Sequence, residues 1–88
     1  MNVEIIWSRI VENIGREFIQ IRGRIFTYEL KGSSSIRPNT TNRIISKSQI
    51  EKALEFVPLE NTVEIQNLQA PSYIYAILMD DRIRKNDW

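Results

Sequence analysis

The spacing of apolar residues changes abruptly at Gly15, and that change argues against a fold built only of helices or only of strands. In VEIIWSRIVENI, Val3, Ile6, Trp7, Ile10 and Ile14 recur at intervals of three and four, one stripe of an α-helix. Asn2 is suited to cap the amino end of that helix, Gly15 to take the left-handed position past its carboxyl end, and Glu12 stands four residues before Arg16. The stripe predicts a helix over residues 3–14 with Trp7 in the core. Downstream, FIQI and IFTYELK are rich in β-branched and aromatic residues, and Phe26, Tyr28 and Leu30 alternate with Ile25, Thr27, Glu29 and Lys31. Arg22-Gly23-Arg24 lies between the two runs as a tight turn or glycine bulge, so residues 17–31 are expected to form two antiparallel strands.

A second turn at residues 31–34 leads to a short third strand at Ser35 to Arg37, which Pro38 ends or confines to a sheet edge. Ser46-Lys47-Ser48-Gln49 fits the capping box S-x-x-Q, and Ile50, Ala53, Leu54 and Val57 follow on one helical face until Pro58. Val63 and Ile65 alternate with polar residues and predict a strand at Thr62 to Gln66. Pro71 suits the first turn of a last helix whose Ile74, Ile77 and Leu78 face the core, with packing fading into the charged run from Asp80. The expectation is a single α+β domain over residues 1–88: an N-terminal helix, a small antiparallel sheet or hairpin, and two further helices. Eighty-eight residues can close only one core.

Several classes of function are disfavoured by what is missing. With neither His nor Cys, the commonest general base and the thiol nucleophile are absent, and Gly15, Gly23 and Gly32 stand too far apart to make a phosphate-cradling loop. Glu29-Leu30-Lys31 has the E-x-K spacing that resembles the core of metal-dependent nucleases, which would also need an upstream acid such as Glu12 or Glu17. Asp80-Asp81 offers two carboxylates and no third oxygen donor, a poor cage for Mg²⁺. A non-enzymatic protein without cofactor or metal is therefore expected. The lack of Cys fits a reducing compartment, and no apolar run approaches the ~20 residues of a membrane span. Glu4 and Arg9 interrupt any signal-peptide pattern, so a cytoplasmic protein with no membrane partner is expected.

Charge is uneven along the chain. Residues 15–50 hold seven basic and two acidic side chains, whereas the remainder holds five basic and nine acidic ones, for a net charge of only +1. Within the basic part, KGSSSIRPNTTNR at 31–43 contains basic, hydroxyl and amide residues and no acid, and it leads into a helix whose first turn is Lys47-Ser48-Gln49. A cation there opposes the helix dipole, and an external anion would answer it. A hairpin bearing Arg22, Arg24 and Lys31 beside such a helix resembles the winged-helix arrangement in outline, although a winged helix places two helices before its hairpin and this chain places one. The leading expectation is a small nucleic-acid-binding domain, a regulator or recognition module for DNA or RNA. Its phosphate contacts would come from Arg22, Arg24, Lys31, Arg37, Asn39, Thr40, Thr41, Asn42, Arg43, Ser46, Lys47 and Ser48. The alternative is a protein-interaction module, small inhibitor or homodimer using an exposed patch of Tyr73, Tyr75 and Met79, which cannot all face inward together with Ile74, Ile77 and Leu78. That patch disappears if the tail bearing Trp88 folds back over it.

Overall fold

The computed structural model describes residues 2–88 and has the α+β architecture that the change of period implies. α1 (Val3–Glu12) starts at Asn2, whose Oδ1 accepts the Glu4 N–H at 2.8 Å. It stops two residues before the end of the apolar stripe because the Asn13 side-chain amide donates to the Arg9 carbonyl at 2.8 Å, taking the acceptor that its own N–H would use in a further turn. Gly15 follows at φ +83° and donates its N–H to the Tyr28 carbonyl at 3.2 Å. The buried face of α1 is Ile6, Trp7 and Ile10, and each such side chain sequestered from water contributes about 1.5–3 kcal/mol.

β1 (Phe18–Ile19) and β2 (Ile25–Phe26) pair antiparallel, with Phe18 opposite Phe26 and Ile19 opposite Ile25. β3 (Tyr28–Lys31), β4 (Ser35–Pro38) and β5 (Ile45–Ser46) form a second antiparallel sheet in the order β3-β4-β5. The expected three-stranded system is thus divided at Thr27, and it gains β5, a strand too short to show alternation. The division has a local cause. The Thr27 N–H donates to Asn39 Oδ1 and its carbonyl accepts the Asn39 N–H, both at 2.9 Å, so pairing toward β4 reaches back to Thr27. The outer Tyr28 carbonyl is taken by Gly15, leaving β1 only residues 25 and 26 to pair with. Pro38 sits inside β4 opposite Tyr28, a position where no ladder N–H is needed because that Tyr28 carbonyl points away.

α2 (Lys47–Ala53) is shorter than the apolar spacing to Val57 predicts, because the Glu55 and Phe56 N–H groups turn back to Lys52 and Ala53 in three-residue steps. The predicted strand at Thr62 to Gln66 is a 3₁₀ turn at Val63–Ile65. Asn61 Oδ1 accepts the Val63 N–H at 2.9 Å and closes an Asx turn, so that Ile65 is buried while Val63 is exposed. α3 (Pro71–Leu78) has Pro71 in its first turn, as expected. The charged run after it makes a separate short helix, α4 (Asp81–Arg84), capped by Asp80, whose Oδ1 accepts the Arg82 N–H at 2.9 Å.

Four aromatic rings join these layers. Phe18 packs against Phe26 and Tyr28 with centroids 5.9 and 5.3 Å apart, and Tyr73 from α3 meets Phe26 edge-on at 4.9 Å. The Tyr28 hydroxyl donates to the Ile10 carbonyl at 2.5 Å, and burial holds it well above the ordinary phenol range. Arg82 lies 4.2 Å over the Phe18 ring and donates to the Glu17 carbonyl at 2.6 Å, clamping the α3–α4 bend onto β1. Among the described residues, no helix is long and apolar enough to cross a membrane.

Candidate nucleic-acid interface

The candidate residues separate into two groups according to whether the protein already answers their charge and hydrogen bonds. At the amino end of α2, Ser46 caps as predicted, its Oγ accepting the Gln49 N–H at 3.3 Å. The reciprocal half of the capping box comes from elsewhere. Ser46 N–H donates to Gln69 Oε1 at 3.0 Å, and Gln49 Oε1 accepts the Gln69 N–H at 2.9 Å, so Gln69 bonds to both the cap residue and Gln49 and pins the segment before α3 to the start of α2. Lys47 was expected to await an external anion. Its Nζ instead donates to the carboxylate of Glu4 in the first turn of α1, and the groove around it is lined by both Glu4 and Glu51. The vacant electropositive seat at α2 is therefore corrected: α1 packs beside α2 and delivers a carboxylate to the misplaced cation.

Lys31 and Arg37 are likewise answered internally. Both reach Glu29 Oε1, at 3.2 and 3.0 Å, across the β3–β4 register that sets Glu29 opposite Arg37. Lys31 and Arg37 hold the Glu29 carboxyl below its ordinary range. Glu29 of the E-x-K motif thus pairs with both Lys31 and Arg37, and neither Glu12 nor Glu17 is among the residues lining the adjacent groove. No group of three or more acids able to hold a metal occurs among the described residues.

The loop from β4 to β5 uses most of its polar side chains in hydrogen bonds to itself and to neighbouring elements. Asn39 completes the pairing of Thr27, Thr41 Oγ1 accepts the Arg43 N–H at 3.1 Å, and Thr40 Oγ1 shares a hydrogen bond of 2.6 Å with the Tyr73 hydroxyl. Ser48 Oγ shares one of 2.9 Å with Ser46. Asn42 and Arg43 remain exposed at the outer bend.

Arg22 and Arg24 are different. Gln20 N–H donates to the Arg24 carbonyl at 2.9 Å and Gly23 N–H to the Gln20 carbonyl at 2.8 Å, with Gly23 at φ +87°. These bonds define a three-residue hairpin loop with a glycine bulge, and they place Ile21 and Arg22 at its apex. Arg22 and Arg24 line a groove of about 540 Å³ together with Gln20, Ile21, Thr62 and Ser72, and no acid is among its lining residues. Ser72 belongs to the first turn of α3, where Ala70 supplies no side-chain cap, Pro71 has no N–H and no acid is present. Among the described residues, Arg16, Arg22, Arg24, Arg43, Lys52 and Lys85 have no ion-pair partner.

The start of α3 brings this hairpin and the 39–43 loop to one region. Gln20 Nε2 donates to Ser72 Oγ at 2.9 Å on one side, while Tyr73 meets Thr40 and Gln69 meets Ser46 on the other. The uneven charge along the chain points to Arg22, Arg24 and Arg43 but carries no signal for Gln20, Thr62, Ser72 or the uncapped start of α3. The expected Tyr73, Tyr75 and Met79 patch is corrected as well. Tyr73 is 8% exposed, Tyr75 and Met79 are half-buried, and Trp88 folds back to donate its Nε1–H to the Leu78 carbonyl at 2.9 Å.

Compared with known protein families, curated proteins and solved structures, the chain has no significant match in any of the three.

Proposed function

We propose that this domain binds nucleic acid, making phosphate contacts from the β1–β2 hairpin and from Arg43, and that it acts by binding alone. The observation that carries the reading is the acid-free groove in which Arg22 and Arg24 stand with Gln20, Thr62 and Ser72 beside the uncapped start of α3. Two unpaired guanidinium groups, hydroxyl and amide donors, and the partial positive charge of a helix start are the groups that phosphate oxygens accept from. The reading centres on α3 and the hairpin, since Lys31, Arg37 and Lys47 already have carboxylates.

Salt-dependent fluorescence anisotropy with labelled duplexes tests it. Changing Arg22 and Arg24 together to Ala is expected to weaken binding about tenfold or more for all sequences and to flatten the slope of log K against log salt by about 1.8, the loss of two phosphate contacts. Arg43→Ala is expected to remove about half that slope change, and Lys47→Ala to leave it unaltered. Undiminished affinity in the double variant would overturn the reading. A protein partner has less to occupy, the shallow groove of about 340 Å³ between β1 and α3 that Tyr75 and Met79 line.

A further inference from the structure

The hairpin that carries the two unpaired arginines also exposes more apolar surface than a phosphate-binding element needs. Its inner face is Phe18 and Phe26, each 1% exposed, whereas on its outer face the opposed pair Ile19 and Ile25 is 62% and 52% exposed. Ile21, at the apex, is 62% exposed. Burying Phe18 and Phe26 obliges their strand neighbours to face out, but nothing in strand geometry requires those neighbours, or the apex, to be isoleucine. The apolar tip is bracketed by cations, with Arg22 next to Ile21 at the turn and Arg24 next to Ile25 on the returning strand.

We infer that this hairpin is a wedge for duplex DNA: Ile21, supported by Ile19 and Ile25, enters the minor groove and parts a base step while Arg22 and Arg24 take the flanking phosphates. The inference rests on the proposed nucleic-acid reading and names its substrate. Three features favour it. Complementarity of charge selects an anionic partner, because the groove beside the tip holds two arginines and no acid. A single strand is disfavoured because binding it without base readout relies on aromatic platforms beside the cations, and here no aromatic side chain lines the groove that holds Arg22 and Arg24, while Phe18 and Phe26 of the hairpin are buried. Duplex RNA is disfavoured because its minor groove is wide and shallow and gives an aliphatic wedge no walls, whereas aliphatic side chains inserted from the minor groove of B-form DNA unstack and kink it. Flexible pyrimidine–purine steps are the sites where such insertion costs least, so they would be preferred.

Two readouts on the intact chain separate this inference from the reading beneath it. Anisotropy reports binding, while 2-aminopurine placed at a TA step and end-to-end energy transfer in a 20-base-pair duplex report unstacking and bending. The wild-type protein is expected to bind the duplex, raise 2-aminopurine emission severalfold and shorten the end-to-end distance. Ile21→Ser is expected to keep the salt slope of binding within experimental error and to abolish the emission change. Ile19→Ser with Ile25→Ser should diminish it, and circular dichroism melts should be nearly unmoved in both variants because these side chains are already exposed. Wild-type binding without unstacking, equal affinity for single strands, or an unstacking signal that survives Ile21→Ser would overturn the wedge and leave the phosphate-binding reading standing. No binding to any nucleic acid would overturn both. Isoleucine-dependent capture on phosphatidylserine vesicles with no wild-type unstacking of the duplex would reassign the tip to a membrane surface and overturn the wedge.

Discussion

The amino end of α2 and the β1–β2 hairpin carry similar charge in sequence and opposite situations in space. At α2, Lys47 opens a helix against its dipole, yet Glu4 from α1 sits on the ammonium and Glu51 lines the same groove. At the hairpin, Arg22 and Arg24 share a groove with no acid, beside a helix start that has no cap of its own. A cation that looks unsatisfied along the chain is therefore not a vacancy until the packing of neighbouring elements is known. An exposed pair like Lys47–Glu4 contributes little to stability, but it removes the lysine from the charge that a partner can use.

The largest effect that can break this contrast comes from Tyr73, which ties Phe26 of the hairpin to Thr40 in the loop that precedes β5 and α2. Tyr73→Ala removes a ring packed edge-on against Phe26 and is expected to destabilise the domain by about 3 kcal/mol, read as a drop in the urea midpoint. Tyr73→Phe keeps the ring, costs about 1 kcal/mol and frees Thr40, so hydrogen exchange in residues 39–43 should quicken while the hairpin is unchanged. An intermediate effect comes from Asp80, whose carboxyl is held below its ordinary value of 3.8 chiefly by its hydrogen bond to the Arg82 side chain. Because the folded value is the lower one, this group's stability contribution is complete above the ordinary value and is lost as pH falls through the folded value. Asp80→Asn should cost about 1 kcal/mol at neutral pH, discounted for partial exposure, and should flatten the fall in stability below about pH 4.

The smallest effect sharpens the contrast most. Glu4→Gln is expected to change stability by only a few tenths of a kcal/mol. It returns Lys47 to solvent, and nucleic-acid affinity should rise with a salt slope steeper by up to about 0.9. If that variant binds no more tightly, then α2 lies away from the interface, and the hairpin and Arg43 alone make it.

Much of the architecture was legible because it is local. The three- and four-residue spacing of Ile6, Trp7 and Ile10, the caps at Asn2 and Ser46, and Pro71 at the start of α3 each involve residues within one turn of one another. Apolar periodicity misleads where a short polar side chain redirects the backbone. Asn13 ended α1 early, Asn61 turned a two-residue alternation into a 3₁₀ step, and Asn39 moved the strand pairing to the far side of Thr27. Of the candidate interface, the sequence supplied the arginines and the lack of acids near them, but not which cations were already paired.

The change of apolar period at Gly15, the capping residues and the uneven charge were enough to require helices and antiparallel strands around one core with a cationic middle segment. Only the packed chain decided that Glu4 would meet Lys47 across 43 positions, that Gln69 would complete the cap of α2, and that Trp88 would close over the end of α3. The physical reason is range. Backbone preference and side-chain periodicity act over a few residues, whereas the partner of a charge or of a cap is chosen by whichever element the core brings within about 3 Å of it.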